Sequence, residues 1–291
     1  MQNALARGVN RRSGLSVRAC ARIECLSHRV VGFRISAERG PMAEAVVVSP
    51  AASIERRASQ DRLFYSGMAI VTALAVLAGF AQTYYLPLAG SGQLTTITGR
   101  EVSGLIHAHG ALFSLWVLLF VMQTSLIATH HVRVHQRMGI AGAVLAAAMI
   151  VAGVTLSISG AAAGVAPAGV SALSFLAIPL GDMVMFAGFI AAALWTRRNR
   201  EAHKRLMLLA YISLLAAPMA RLPGVLPLGP FAFYGLALVF LAICVVYDLV
   251  TRPRVHRTYV WGGGLLALSV PGRLMLSETA AWQAFARLLT Q

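Results

Sequence analysis

Charge is scarce in this chain. Only 12% of its 291 residues are Asp, Glu, Lys or Arg, about half the share usual in a soluble domain, roughly 25%. Acids are rarer still, 10 against 25 basic residues, and lysine is nearly absent, Lys204 being the only one. Three cysteines, Cys20, Cys25 and Cys244, form no CxxC and suggest no disulfide framework. The sequence holds no P-loop, no GxGxxG behind a strand, no HExxH and no nucleophile elbow. These absences exclude the common soluble nucleotide, dinucleotide, zinc-protease and serine-hydrolase sites.

What the chain has instead is apolar length. Hydrophobic residues make up 58% of it, gathered into runs at roughly 63–86, 104–129, 138–159, 171–196, 205–222, 229–250 and 258–276. A run of ~18 or more apolar residues is long enough to cross the ~30 Å hydrocarbon core as a helix. The expected fold is therefore all-α, a polytopic transmembrane helical bundle of about seven spans. The net charge of +15 does not point to nucleic acid, because the arginines sit in the N-terminal tail and in short loops between apolar runs. The lipid bilayer is the expected partner.

The first 41 residues are rich in arginine and serine and have no apolar stretch, so they are not a secretory signal. We read 1–41 as a disordered or non-native upstream extension, with Met42 as the expected start. Residues 42–62 then form a cytoplasmic lead-in, 63–276 the seven-span domain, and 277–291 an amphipathic helix lying in the interface.

The loops set the orientation. Arg56, Arg57 and Arg62 precede span one, Arg133 and Arg137 follow span two, "RRNREAHKR" follows span four, and Arg252, Arg254 and Arg257 follow span six. The alternate loops carry little: Arg100 offset by Glu101, no charge, and Arg221. This asymmetry predicts the N-terminus inside and the C-terminus outside. Spans two–three, four–five and six–seven then form hairpins turning at the basic side.

Three of these turns share an element: "VHQRMG" at 134–139, "AHKRLM" at 202–207 and, more loosely, "VHRTYV" at 255–260. With "LIHAHGALFSLWVLLFVMQTSLI" and "REAHKRLMLLAYISLLAAPMARL", the chain resembles a group of uncharacterised bacterial multi-span membrane proteins. These share a histidine in an early span, an H-x-R-x-G element after it, and an H-x-R-L-M element before a later span that ends in arginine. The resemblance covers 63 to the C-terminus. It implies a bacterial inner-membrane, multi-pass helical bundle and carries no activity with it.

Ionisable groups within spans are costly and are functional candidates. In the outer half these are His107, His109, Asp182 and Arg221. Asp182 at mid-depth needs a donor, and we expect it within reach of His107 or His109, forming a ligand or proton cluster. His107 and His109 cannot hold one metal on a regular helix, being ~200° apart around its axis. His109, Trp116, Gln123 and His130 share a face, since heptad steps drift only ~20°, and this stripe is expected to line the interior. On the inner side His135, Arg137, His203, Arg205, His256 and Arg257 form an expected cytoplasmic anion rim, suited to a phosphate, a headgroup or a propionate. Pro179, Gly181, Pro218, Pro271 and Gly272 mark breaks beside Asp182, Arg221 and Arg273.

The expected function is binding or moving a small ligand or protons through the outer-half cluster. Two other readings stand beside it. One is a haem b electron-transfer protein, with a histidine and Met183 or Met219 as axial ligands. The other is an accessory subunit of a membrane complex. No catalytic or metal-ligating set is assigned.

Overall fold

The computed structural model describes residues 50–90 and 103–291. The expected upstream extension, the first part of the lead-in, and the loop holding Arg100 and Glu101 lie outside the described residues. No strand occurs among those described. The chain is all-helical, with five helical stretches long and apolar enough to cross a membrane: Glu55–Leu88, Gly104–Ala128, Val132–Ala162, Ala172–Trp195 and Pro230–Thr251. This is the make-up of a multi-pass membrane protein.

Eight helices organise it. α1 (Pro50–Phe80) continues through a π-turn, Ala81–Tyr85, into Leu86–Leu88. α2 is Gly104–Ala128 and α3 is Val132–Ala162. α4 (Ala177–Trp195) follows a single turn at Ala172–Phe175. α5 (Arg200–Ser213) leads to a short helix, Ala216–Ala220. α6 is Pro230–Thr251; α7 (Gly264–Ser277) is entered through a π-turn, Tyr259–Gly263; α8 is Ala280–Thr290. The expected fifth and seventh spans are thus helical but interrupted, and neither piece alone reaches spanning length.

Local chemistry sets several boundaries. The Asn199 side chain accepts from the Ala202 N–H at 3.2 Å and starts α5. Thr279 does the same for Trp282 at 3.2 Å and starts α8. α2 stops at Ala128 because His130 adopts φ 64, and the His131 N–H then returns to the Leu126 carbonyl at 2.8 Å. This turn removes His130 from the stripe expected on α2. The interior reading of that stripe fits Trp116, which is buried, with Gln123 half-buried and His130 exposed.

α5 and the short helix after it lie at the centre. Leu206, Leu208, Leu209, Ala210, Tyr211, Ile212 and Leu215 are all buried. α1, α4, α6 and the Tyr259–Gly263 turn pack around this segment. A helix surrounded by protein can break near Pro218 without exposing backbone groups to lipid. The outer faces carry Leu118, Ile140, Val184, Leu268 and Met275 largely exposed. Such an apolar exterior is costly in water and suited to acyl chains.

Candidate functional site

The polar residues divide between the two ends of the bundle. At one, the basic end, α1 begins and the α2–α3, α4–α5 and α6–α7 turns lie. Here three acids and three bases from three helices interlock. The Arg205 guanidinium is fully buried and donates to both oxygens of buried Asp248, at 3.1 and 2.7 Å. Its Nη1 donates to Glu201 at 2.8 Å. Arg252 bridges Asp248 (2.8 Å), Asp61 (2.8 Å) and Glu201 (3.0 Å). Lys204 donates to Asp61 and Glu201, each at 2.6 Å. The Tyr247 hydroxyl completes Asp61 at 2.7 Å. Burial pushes the Glu201 carboxyl up, but hydrogen bonds from Lys204 and Arg205 outweigh that and hold it at about 2.

This lattice revises the expected anion rim. Arg205 is fully buried and its charge is already met by Asp248 and Glu201, so it is not presented to an external anion. His256 is also engaged: its Nδ1 accepts from the Thr258 N–H at 3.2 Å, and its own N–H donates to Asp248 at 3.0 Å. Burial and the Arg205 charge hold its imidazole below the ordinary histidine range. Arg137 and Arg257 are exposed. His135 and His203 do come together, their ring centres 6.5 Å apart. Each is anchored from a different helix. The His203 Nδ1–H donates to the Ala193 carbonyl at 2.8 Å, and the Gln123 amide, oriented to satisfy its neighbours, donates to His135 Nδ1 at 2.6 Å.

At the distal end Asp182 is buried as expected, but its partners are not the histidines. Arg273 donates to it at 2.6 Å and the Tyr234 hydroxyl at 2.9 Å. Arg273 also donates to the Tyr234 hydroxyl at 2.7 Å. The triad joins α4, α6 and α7. Gly181 makes room for it, since a Cβ there would lie 2.9 Å from the Arg273 guanidinium carbon. Depth along a helix does not say which neighbour a side chain meets: Asp182 meets Tyr234 of α6 and Arg273 of α7, whereas His107 of α2 lies beside Tyr84 of the α1 π-turn.

The remainder of the expected cluster holds together differently. Arg221 donates to the Ala217 carbonyl at 2.8 Å and lies 4.4 Å over the Phe80 ring. No carboxylate pairs with it among the described residues. His109 lies within the field of its charge and stacks on Phe113 at 4.0 Å. His107 faces away, 6.0 Å from the Tyr84 ring. Among the described residues, buried polar side-chain atoms without partners are His109 Nδ1 and Trp116 Nε1 on α2, Ser66 Oγ on α1, Thr83 Oγ1 in its π-turn and the Tyr211 hydroxyl on α5. Close packing of the π-turn on α2 is fixed by a Tyr85–Ser114 hydroxyl contact of 2.9 Å. Met183 packs on Gly153 of α3 and Met219 lies in the core.

Sequence reasoning gave no role to Asp61, Asp248 or Tyr234, used Arg252 only for orientation, and noted Arg273 only beside the Pro271–Gly272 break. A signal existed for part of the lattice, since Glu201–Arg205 and Asp248–Arg252 are spaced i,i+4 at helix ends. Among the described residues no group of three or more His, Cys, Asp or Glu is placed to hold a metal ion. No family model, no curated protein and no solved structure matches the chain.

Proposed function

We propose that this is a seven-crossing protein of a bacterial inner membrane, basic end and N-terminus inside, that binds a small anion at its distal end through Arg221 and His109. The arginine asymmetry of the loops supports the orientation. The seventh and fifth crossings are the interrupted segments. Arg205 to Leu222 is about 27 Å at ~1.5 Å per residue, and Tyr259 to Ser277 is about as long.

The observation that carries the ligand reading is the missing counter-charge. Lys204, Arg205, Arg252 and Arg273 each hold a carboxylate, whereas Arg221 holds none among the described residues. A half-buried guanidinium strongly favours an anionic partner. His109 itself carries a buried ring nitrogen without a partner, which such a ligand or its water could satisfy.

The test is thermal unfolding of the purified protein with chloride, acetate or phosphate at constant ionic strength. Wild type is expected to gain stability with at least one anion. Arg221→Gln should lose that gain, and Arg221→Lys should keep part of it. Equal responses in wild type and Arg221→Gln would overturn the reading.

A further inference from the structure

The lattice at the basic end has a second effect, on the surface around it. Folding takes Asp61, Glu201 and Asp248 out of circulation by pairing them with Lys204, Arg205 and Arg252. Glu55 is the one other acid described at this end. Arg133, Arg137, Arg197, Arg198, Arg200 and Arg257 are exposed there, and none has an ion pair among the described residues. The sequence shows acids and bases mixed in these segments; the fold separates them into a neutral interior and a cationic rim.

The height of that rim selects its partner. Trp195 is 90% exposed two residues before Arg197, and Val250, 80% exposed, lies just before the α6–α7 turn. Val132 and Val134 flank Arg133 and are also exposed. Exposed apolar side chains of this kind belong in acyl chains, and an exposed tryptophan belongs at the membrane interface. The guanidiniums beside them then stand at the level of lipid phosphates. Arginine meets phosphate with paired N–H donors.

We infer that the basic end is a binding surface for anionic phospholipid headgroups, centred on Arg197, Arg198 and Arg200. A soluble polyanion would have to displace headgroups already lying against the rim. The inference does not depend on the Arg221 site, and it holds for whichever leaflet the basic end occupies.

The full chain is reconstituted in mixed phosphatidylglycerol–phosphatidylcholine bilayers, and the lipids in its first shell are measured with spin-labelled lipids of each class. Wild type should select phosphatidylglycerol, and rising salt should weaken the selection. Near an anionic surface each cation is worth about fivefold, the equivalent of about 1 kcal/mol. Triple replacement of Arg197, Arg198 and Arg200 by Gln should therefore cut the selectivity at least tenfold where the wild-type preference is that large, and otherwise abolish it. Triple replacement by Lys should retain most of it, which separates lost charge from lost fold. Equal occupancy of the two lipids around wild type would overturn the inference, as would a Gln variant indistinguishable from wild type. Displacement of phosphatidylglycerol by a short RNA at equal charge concentration would overturn it in favour of a soluble polyanion.

Discussion

Arg205 and Asp248 show what a buried charge requires. Both side chains are wholly buried, and each supplies the other's counter-charge. Removing Asp248 strips buried Arg205 of its bidentate partner and leaves it only Glu201, whose side chain is 46% exposed, so Asp248→Ala should cost about 3–5 kcal/mol in unfolding free energy. Arg205→Met combined with Asp248→Leu should recover most of that loss, because well-packed apolar pairs often match a buried ion pair. Reversible unfolding in detergent measures both, and an additive double variant would contradict it. Glu201 gives the pH signature of the same lattice. Its folded carboxyl titrates at about 2 against an ordinary 4.5, so its contribution is complete above about 4.5 and fades as pH falls toward 2. The stability gap between wild type and Glu201→Gln should be constant from pH 8 to 5 and shrink below 4.5. Glu201 sits within a basic loop motif in the sequence, but nothing there distinguishes a solvated acid from one held by three bases. Asp182 teaches a related lesson. Its need for a buried donor was legible, but its partner Arg273 was not, because depth along a helix is readable from hydropathy and lateral order is not.

Helices were more legible than their partners. The five longest apolar runs emerge as helices, three of them within a residue of their expected limits and two, α1 and α3, starting earlier at Pro50 and Val132, since hydropathy and length decide a membrane span almost alone. The two that break, around α5 and α7, are the ones packed within protein or entered by a π-turn. There apolar pattern no longer reports contact with lipid. In hydrocarbon, helices associate through close van der Waals fit rather than expulsion of water, so small residues at contacts matter more than bulk hydrophobicity. α1 offers an internal control. A Cβ on Gly79 would strike the backbone of Pro218 in the short helix, whereas a Cβ on Gly67 meets nothing within 4 Å. Gly79→Ala should therefore destabilise by roughly 1–3 kcal/mol, as overpacking does. Gly67→Ala should be neutral or stabilising by about 0.5–1 kcal/mol through helix propensity. Equal effects would mean that α1 does not pack on the short helix as described.

For the whole molecule the polar clusters constrain topology more tightly than hydropathy does. Asp61 near the start of α1 meets Arg252 just past the end of α6, so α1 and α6 run in opposite directions. His203 at the start of α5 reaches Ala193 near the end of α4, so α5 starts at the basic end. α6 must start at the other end, and only α5 with its short helix lies between. The same logic applies to α7, since Tyr259 lies 5.4 Å from the Arg205 guanidinium while Arg273 bonds Asp182 at the distal end. Counting termini cannot test this, because five and seven crossings both leave the N- and C-termini on opposite faces. The intermediate loops can. If α5 and α7 cross, an epitope inserted in the full chain at Gly224 should be reachable only from outside, and one after Arg254 only from inside. If they lie within one leaflet, both labels exchange sides. Protease protection of the two tags in sealed inverted vesicles distinguishes the outcomes, and we expect the Gly224 tag protected and the Arg254 tag cut.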